Sequence, residues 1–125
     1  MPLASLAEAM GKRRQSRRTP HMTINLGSIE KIPLGEGREY EVAGQLVAVF
    51  RERASGKLTA TQALCPHKQG HLADGFTGNG LIVCPMHAFK FALADGAAQG
   101  NDCAALKTYA VRLNDAGELL LDLPV

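Results

Sequence analysis

Four metal-binding side chains stand close together in the segment CPHKQGHLADGFTGNGLIVCPMH, which covers residues 65–87. Cys65 and His67 are separated by one residue, and Cys84 and His87 are separated by two. A proline follows each cysteine, and several glycines lie between the two pairs. Thiolate and imidazole groups are the ligands that proteins offer to zinc and to some iron–sulfur clusters. The spacing therefore predicts two loops that each present one cysteine and one histidine to a shared metal centre.

Two kinds of metal centre could use this ligand set. Two thiolates and two imidazoles complete a tetrahedral zinc site, but zinc fingers normally group cysteine with cysteine and histidine with histidine. This chain interleaves the two residue types. A [2Fe-2S] cluster needs two protein ligands on each iron, and in one arrangement one iron takes two cysteines while the other takes two histidines. The interleaved order favours the cluster, and a structural zinc module is the alternative.

The motifs CPH at 65–67 and CPMH at 84–87 resemble the two-loop motif of the Rieske [2Fe-2S] family. The similarity spans roughly residues 23–125. The resemblance implies an all-β fold, in which a small cluster-binding subdomain sits on a larger antiparallel sandwich or barrel. It also implies the ligand set of a single cluster, with cysteines on one iron and histidines on the other: Cys65, His67, Cys84 and His87.

The resemblance also bears on the reduction potential. High-potential members of respiratory complexes have an extra cysteine in each loop, joined as a disulfide, and a serine that donates a hydrogen bond to a sulfide. The corresponding positions here hold Gly70, Met86 and Phe89. Fewer hydrogen bonds to the sulfurs stabilise the reduced charge less. We therefore expect a low-potential cluster.

Within the family, the sequence looks like the small subunit of NAD(P)H-dependent assimilatory nitrite reductase. The matching features include Lys68 after CPH, the pair Phe89 and Phe91, and the stretch LKTYAVRL. This likeness implies a large partner subunit that bears flavin, siroheme and a [4Fe-4S] centre and reduces nitrite to ammonium. The alternative is a free-standing ferredoxin that works with an oxygenase and its reductase. On either interpretation we expect an electron carrier that catalyses no reaction alone.

Two further residues have weaker signals. His71 occupies a position where proline is frequent in the family, and we expect an exposed loop residue rather than a fifth ligand. Cys103 has no ligand-type neighbour in its segment NDCAAL, and we expect a small loop or core residue. A redox sensor that uses Cys103 is the third hypothesis.

The segments that must position the ligands are predicted to be short strands separated by turns that contain glycine. EYEVAGQLVAVF predicts two strands folded about Ala43 and Gly44, and ELLLDL follows LKTYAVRL across the turn NDAG. Strand-like stretches LTATQAL, GLIVC and FKFAL flank the ligand pairs. No convincing amphipathic helix follows residue 22. The sequence predicts a small antiparallel all-β domain.

Composition and charge limit the classes of function that the chain could have. Residues 1–22 contain five basic side chains and one acid, whereas the rest of the chain is mildly acidic. We expect residues 1–22 to be a disordered basic extension and residues 23–125 to form the Rieske domain. No apolar run is long enough to span a membrane. The pattern predicts a cytoplasmic protein that binds neither nucleic acid nor membrane.

Overall fold

The fold is built almost entirely from short β-strands. The computed structural model describes residues 21–66, 69–86 and 88–124. Within these residues the helical segments are two 3-10 turns, η1 (Ile29–Lys31) and η2 (Leu72–Asp74), and no described helix is long and apolar enough to cross a membrane. The predicted all-β class is confirmed. The strands are β1 (His21–Ser28), β2 (Gly37–Val42), β3 (Gln45–Arg51), β4 (Leu58–Gln62), β5 (Phe76–Gly78), β6 (Leu81–Val83), β7 (Lys90–Ala92), β8 (Ala98–Gln99), β9 (Thr108–Leu113) and β10 (Glu118–Pro124).

The strands form a larger base sheet and a smaller sheet that carries the ligand loops. The base sheet has the order β1-β10-β9-β4-β3-β2, and the smaller sheet has the order β5-β6-β7-β8. All recorded strand pairs in both sheets are antiparallel. This division matches the expected base and cluster-binding subdomain. We call the four-stranded unit the cluster subdomain.

Strand β3 is buried on both faces and so serves two cores. Successive side chains of a strand point to opposite faces. Val47 and Val49 pack inside the base with Leu119 and Leu121 of β10. Ala48 and Phe50 face the cluster subdomain and pack in a second core, which we call the shared core. The buried members of the shared core are Ala48, Phe50, Ala63, Cys65, Leu72, Ile82, Cys84, Phe91, Leu93 and Leu106.

The hairpin between β2 and β3 follows the turn that the sequence indicates. Val42 pairs with Gln45, and the two residues between them have positive φ, 50° at Ala43 and 80° at Gly44. Two left-handed residues are the signature of the tight turn that matches strand twist. The second predicted hairpin, β9 to β10, is also confirmed. Strands β1, β5 and β8 are additional elements that the sequence interpretation did not contain.

The described part of the chain begins with strand β1. This strand begins at His21 and pairs along β10, with His21 opposite Pro124. The strand therefore starts two residues before the domain boundary expected from sequence. Residues 1–20, which contain the basic cluster of the predicted extension, lie outside the described residues.

Gly75 lies so close to the backbone of Val83 that a larger residue cannot fit there without movement. A Cβ on Gly75 would lie 2.0 Å from the carbonyl oxygen of Val83, the residue before Cys84. A Cβ on Gly78, in the same segment, would meet nothing within 4 Å. Gly75→Ala should lower the apparent stability of the holoprotein by about 2 kcal/mol, the usual scale of overpacking.

The measurement is chemical denaturation under anaerobic conditions, with Gly78→Ala as the matched control. The control should stay within about 0.5 kcal/mol of the parent protein. Equal midpoints for the two variants would show that the carbonyl of Val83 can move aside.

Candidate metal centre

Two loops carry the candidate ligands and pack against each other. Loop 1, residues 65–70, joins β4 to η2, and loop 2, residues 84–89, joins β6 to β7. Each loop begins with a cysteine that is buried, Cys65 to 0% exposure and Cys84 to 1%. The prolines that follow, Pro66 and Pro85, are exposed. Each loop thus starts in the shared core and runs out to the surface.

The two loops are closed by the same backbone pattern. The N–H of Cys65 donates to the carbonyl of Gly70 at 2.8 Å, and the N–H of Cys84 donates to the carbonyl of Phe89 at 2.7 Å. The fourth residue after each cysteine has positive φ, 57° at both Gln69 and Ala88. Such conformations cost free energy for residues with a Cβ and persist where the surroundings enforce them. The two loops therefore share one backbone geometry, as expected of loops that hold the same kind of ligand.

The cysteine side chains meet where the loops pack together. The thiol of Cys65 interacts with that of Cys84. Burial raises the pKa of the Cys84 thiol and Cys65 raises it further, while a hydrogen bond from the Met86 backbone lowers it. A buried pair of thiols is difficult to ionise unless a metal supplies positive charge. The pair therefore fits the two-cysteine side of a metal centre.

Gly70, the last residue of loop 1, allows the close approach of the two loops. A Cβ at this position would lie 3.1 Å from Sγ of Cys84 and 2.8 Å from Cγ of Met86. The Met86 N–H points at the same sulfur, with a distance of 3.4 Å between nitrogen and Sγ. Hydrogen bonds to ligand sulfurs tune the charge that a metal centre can hold. Loop 2 thus supplies both a candidate ligand, Cys84, and a donor to its sulfur.

The histidine members of the predicted ligand set, His67 and His87, lie outside the described residues, as does Lys68. Within the described residues no group of three or more His, Cys, Asp or Glu side chains could hold a metal ion. Two of the four predicted ligand residues, Cys65 and Cys84, are brought together, and ligation by all four stays a prediction.

Two other residues singled out in the sequence are Phe89, the last residue of loop 2, and Cys103. Phe89 is partly buried and packs on the shared core, in agreement with a packing role. Cys103 also packs on this core and is partly buried, which confirms the expected loop or core residue. Burial raises the pKa of Cys103, and Cys65 and Asp102 raise it further. The sequence held no signal that Cys103 packs on the same core as Cys65 and Cys84, because this packing joins segments far apart along the chain.

His71 is exposed, as expected, with 53% of its side chain accessible. It is nevertheless not an isolated loop residue. Its ring Nδ1 lies 2.5 Å from Oε2 of Glu39 on strand β2. Neither residue carries a pattern that could have predicted this pair, since they are separated by 32 positions.

The comparison with protein families identifies this architecture. The Rieske [2Fe-2S] domain model matches residues 22–110. The chain therefore belongs to the Rieske [2Fe-2S] family, and the resemblance seen in its sequence is confirmed at that level. Members of this family carry a Rieske-type cluster bound by two cysteines and two histidines. The cofactor is thus a Rieske [2Fe-2S] cluster, which favours the cluster over the zinc module.

Two curated relatives show how far the sequence similarity extends. The ferredoxin component of the naphthalene 1,2-dioxygenase system of Pseudomonas aeruginosa is 30% identical over 104 residues, covering 80% of this chain and 94% of that protein. The 4beta-methylsterol monooxygenase of Methylococcus capsulatus is 46% identical over 48 residues. These residues cover 38% of this chain and 13% of the monooxygenase. The second similarity is therefore limited to a short part of a much longer protein.

Two solved structures illustrate the likeness of the fold to known proteins. One, from Mycobacterium tuberculosis and assigned as the small subunit of an NADH-dependent nitrite reductase, superposes with a TM-score of 0.78. It is 19% identical, and the match covers 85% of this chain and 98% of that chain. The ferredoxin of Sphingomonas yanoikuyae B1 has a TM-score of 0.72 and 30% identity, covering 82% and 100% of the two chains. At 19% identity the first likeness shows the fold alone.

The contact between Gly70 and Met86 predicts that the two loops can be joined covalently. A Cβ built on Gly70 lies 3.5 Å from Cβ of Met86. Disulfides have Cβ to Cβ distances of about 3.5–4.5 Å. The double variant Gly70→Cys/Met86→Cys should therefore form a disulfide on mild oxidation with oxidised glutathione, while the visible spectrum of the cluster is retained. Intact mass and free-thiol titration measure the bond.

Met86→Cys alone is the control, since its new thiol has no partner at position 70. Two reactive thiols more than in the parent protein, which has Cys103 as a partly exposed free cysteine, would contradict the close approach of the two loops.

Proposed function

We propose that Cys65, His67, Cys84 and His87 hold the cluster and that the protein is a cytoplasmic one-electron carrier. The observation that carries this proposal is the meeting of two buried cysteines where the two loops converge. The motif adds one histidine from each loop. When bound, the cluster supplies a one-electron change, and histidine ligation raises its potential relative to all-cysteine clusters. The protein's own residues position the ligands and limit access of water to the cysteine side.

The exposed side of the loops supports a role in electron transfer. Pro66, Pro85, Met86 and Ala88 are exposed, whereas both cysteines are buried beneath them. Four of the five exposed residues in the described part of the loops are therefore apolar, and the fifth is Gln69. A redox partner that docks on this surface comes close to the cluster without opening the fold. The four apolar residues, Pro66, Pro85, Met86 and Ala88, are called the loop surface.

The proposed cluster is of the low-potential type. Gly70 and Met86 occupy the positions expected for a disulfide in high-potential relatives, and their packing shows that these positions do face each other. Phe89 replaces the expected serine, so no hydroxyl is available there. The described donor to a cysteine sulfur is the Met86 N–H. Without the serine hydroxyl of the high-potential relatives, the reduced charge is less stabilised than in those relatives.

For the partner, we propose the large subunit of an NAD(P)H-dependent nitrite reductase, with flavin and siroheme as its centres. The run CPHKQGHLADG, the segment CPMHAFKFALADGAAQG and the stretch LKTYAVRL support this assignment. The superposition on the M. tuberculosis protein is compatible with it. In this role the chain assists the reduction of nitrite to ammonium in nitrate assimilation.

An oxygenase ferredoxin is the second candidate. The observation in its favour is the similarity to the dioxygenase ferredoxin component, which covers most of both chains. In this role the acceptor is an oxygenase and the donor its reductase. The two candidates share the cluster and differ in the protein that approaches the loop surface.

The ligand set is tested by spectroscopy on anaerobically purified protein. The parent protein should be brown and, after reduction by dithionite, give a rhombic Rieske-type EPR signal. Cys65→Ser, Cys84→Ser, His67→Ala and His87→Ala should each lose this signal because each removes one bond to iron. Cys103→Ser is the matched control, since it changes a thiol outside the motif, and it should keep the signal. A colourless parent protein that contains zinc would contradict the proposal.

The partner is tested by deletion in the source organism. If the partner is nitrite reductase, the deletion strain should fail to grow with nitrite as the nitrogen source, and ammonium formation should stop. The wild-type chain should restore growth, and Cys84→Ser should not. Cys103→Ser again serves as the control and should restore growth. Undiminished growth on nitrite, with loss of an aromatic hydroxylation, would favour the oxygenase ferredoxin.

A further inference from the structure

The stretch that follows loop 1 is held against the base sheet at several points. His71 forms an isolated bridge with Leu64, and the N–H of Leu72 donates to the carbonyl of Ala63 at 2.9 Å. Leu72 is fully buried in the shared core, and η2 packs on β2 and β3. The residues that flank loop 1 on both sides are therefore anchored to each other and to the base.

One side-chain contact reinforces this anchorage from the outside. His71 approaches Glu39, which lies on β2 opposite Ala48 of β3. Glu39 is largely covered, with 26% of its side chain exposed. Because β2 lies at the edge of the base sheet, this contact joins the end of loop 1 to the rim of the base.

His71 is next to the residue on which both loops depend. Its neighbour Gly70 accepts the hydrogen bond from the Cys65 N–H and packs against Met86 and Cys84 of loop 2. A displacement of residue 71 is transmitted through one peptide unit to this junction. His71 is thus one peptide unit away from the contact between the two loops.

We propose that Glu39 and His71 are a positioning pair that holds loop 1 in its cluster-binding conformation, and that the protonated form of His71 holds it best. The ring Nδ1–H donates to the Glu39 carboxylate, and the opposite charges strengthen this hydrogen bond. The inference concerns the retention of the cluster and is independent of which partner receives the electron.

The pair makes cluster retention depend on pH. The described charged groups that act on His71 are Glu39 on β2 and Asp74 on η2, both acidic. The hydrogen bond to Glu39 is the main cause of a raised pKa for His71, and the charges of Glu39 and Asp74 add to it. Because the pKa is raised when the loop is held, the stabilisation is fully present below about pH 6.5, the ordinary histidine value. It is lost as the pH rises through the raised pKa.

The test measures how fast the oxidised holoprotein releases its cluster to an iron chelator, followed by visible absorbance. At about pH 6, Glu39→Gln and His71→Gln should each release the cluster about two- to fivefold faster than the parent protein, the range of a single exposed ion pair. The double variant should release it no faster than either single variant, because both remove the same interaction. The acceleration should vanish at a pH well above the raised pKa.

Rates are compared as ratios to the parent protein at each pH, since the ligands His67 and His87 titrate in every variant. Arg112→Gln is the matched control. It breaks the ion pair between Arg112 and Asp122, whose side chains are 55% and 22% exposed, close to the 53% and 26% of His71 and Glu39. Its pair joins β9 and β10 in the base. It should release the cluster at the parent rate at every pH.

His71→Lys distinguishes a charge effect from simple packing. Lysine keeps its positive charge to about pH 10. This variant should retain the cluster as well as the parent protein at low pH and better than the parent above the raised pKa.

The proposal is overturned if Glu39→Gln releases the cluster at the parent rate at about pH 6, or if the effect of His71→Gln is independent of pH. It is also overturned if His71→Lys behaves like His71→Gln at every pH. None of these outcomes affects the assignment of the electron partner, which rests on growth and ammonium formation.

Discussion

The structure depends on placing two cysteines side by side where water is excluded. Two thiolates in such a position repel each other and lose their hydration, so the arrangement is favourable when a metal neutralises them. Cys65 and Cys84 are both buried, and their loops touch at Gly70, where no Cβ can be accommodated without movement. The cluster subdomain and the shared core below it serve to maintain this meeting point. On the proposed ligand set, the cluster would supply the positive charge that stabilises this meeting point.

Rigidity comes from the repeated construction of the loops and from the two-sided burial of β3. Each loop is closed by a hydrogen bond from its cysteine N–H, and each has a left-handed residue that is not glycine. These conformations store strain that the surrounding hydrogen bonds must hold. Phe50 of β3 and Phe91 of β7 are fully buried in the same core, so the cluster subdomain and the base share one packed interior. A preorganised metal site is the expected result, because the ligands need little rearrangement when the metal's charge changes.

An electron carrier has to combine such a rigid interior with an accessible exterior. The inner side of the loops lies on the apolar shared core, whereas the loop surface is exposed. Apolar surroundings limit the solvation of the added charge, and the Met86 N–H provides a local donor to it. The pair of Glu39 and His71 adds an electrostatic connection at the rim of the same unit. The fold thus separates the tasks of holding the cluster, adjusting its charge and meeting a partner.

The sequence by itself determined the all-β class, the two hairpins and the identity of the candidate ligands. These follow from local signals: period-two strands, turn residues such as Ala43 and Gly44, and cysteine and histidine at short spacing. Only the tertiary structure decided which distant segments meet. It pairs β1 with β10 across almost the whole chain, sets Gly70 against Met86, and joins Glu39 to His71. Such contacts depend on the register and curvature of whole sheets, and no local pattern encodes the packing between surfaces that form only when the chain has folded.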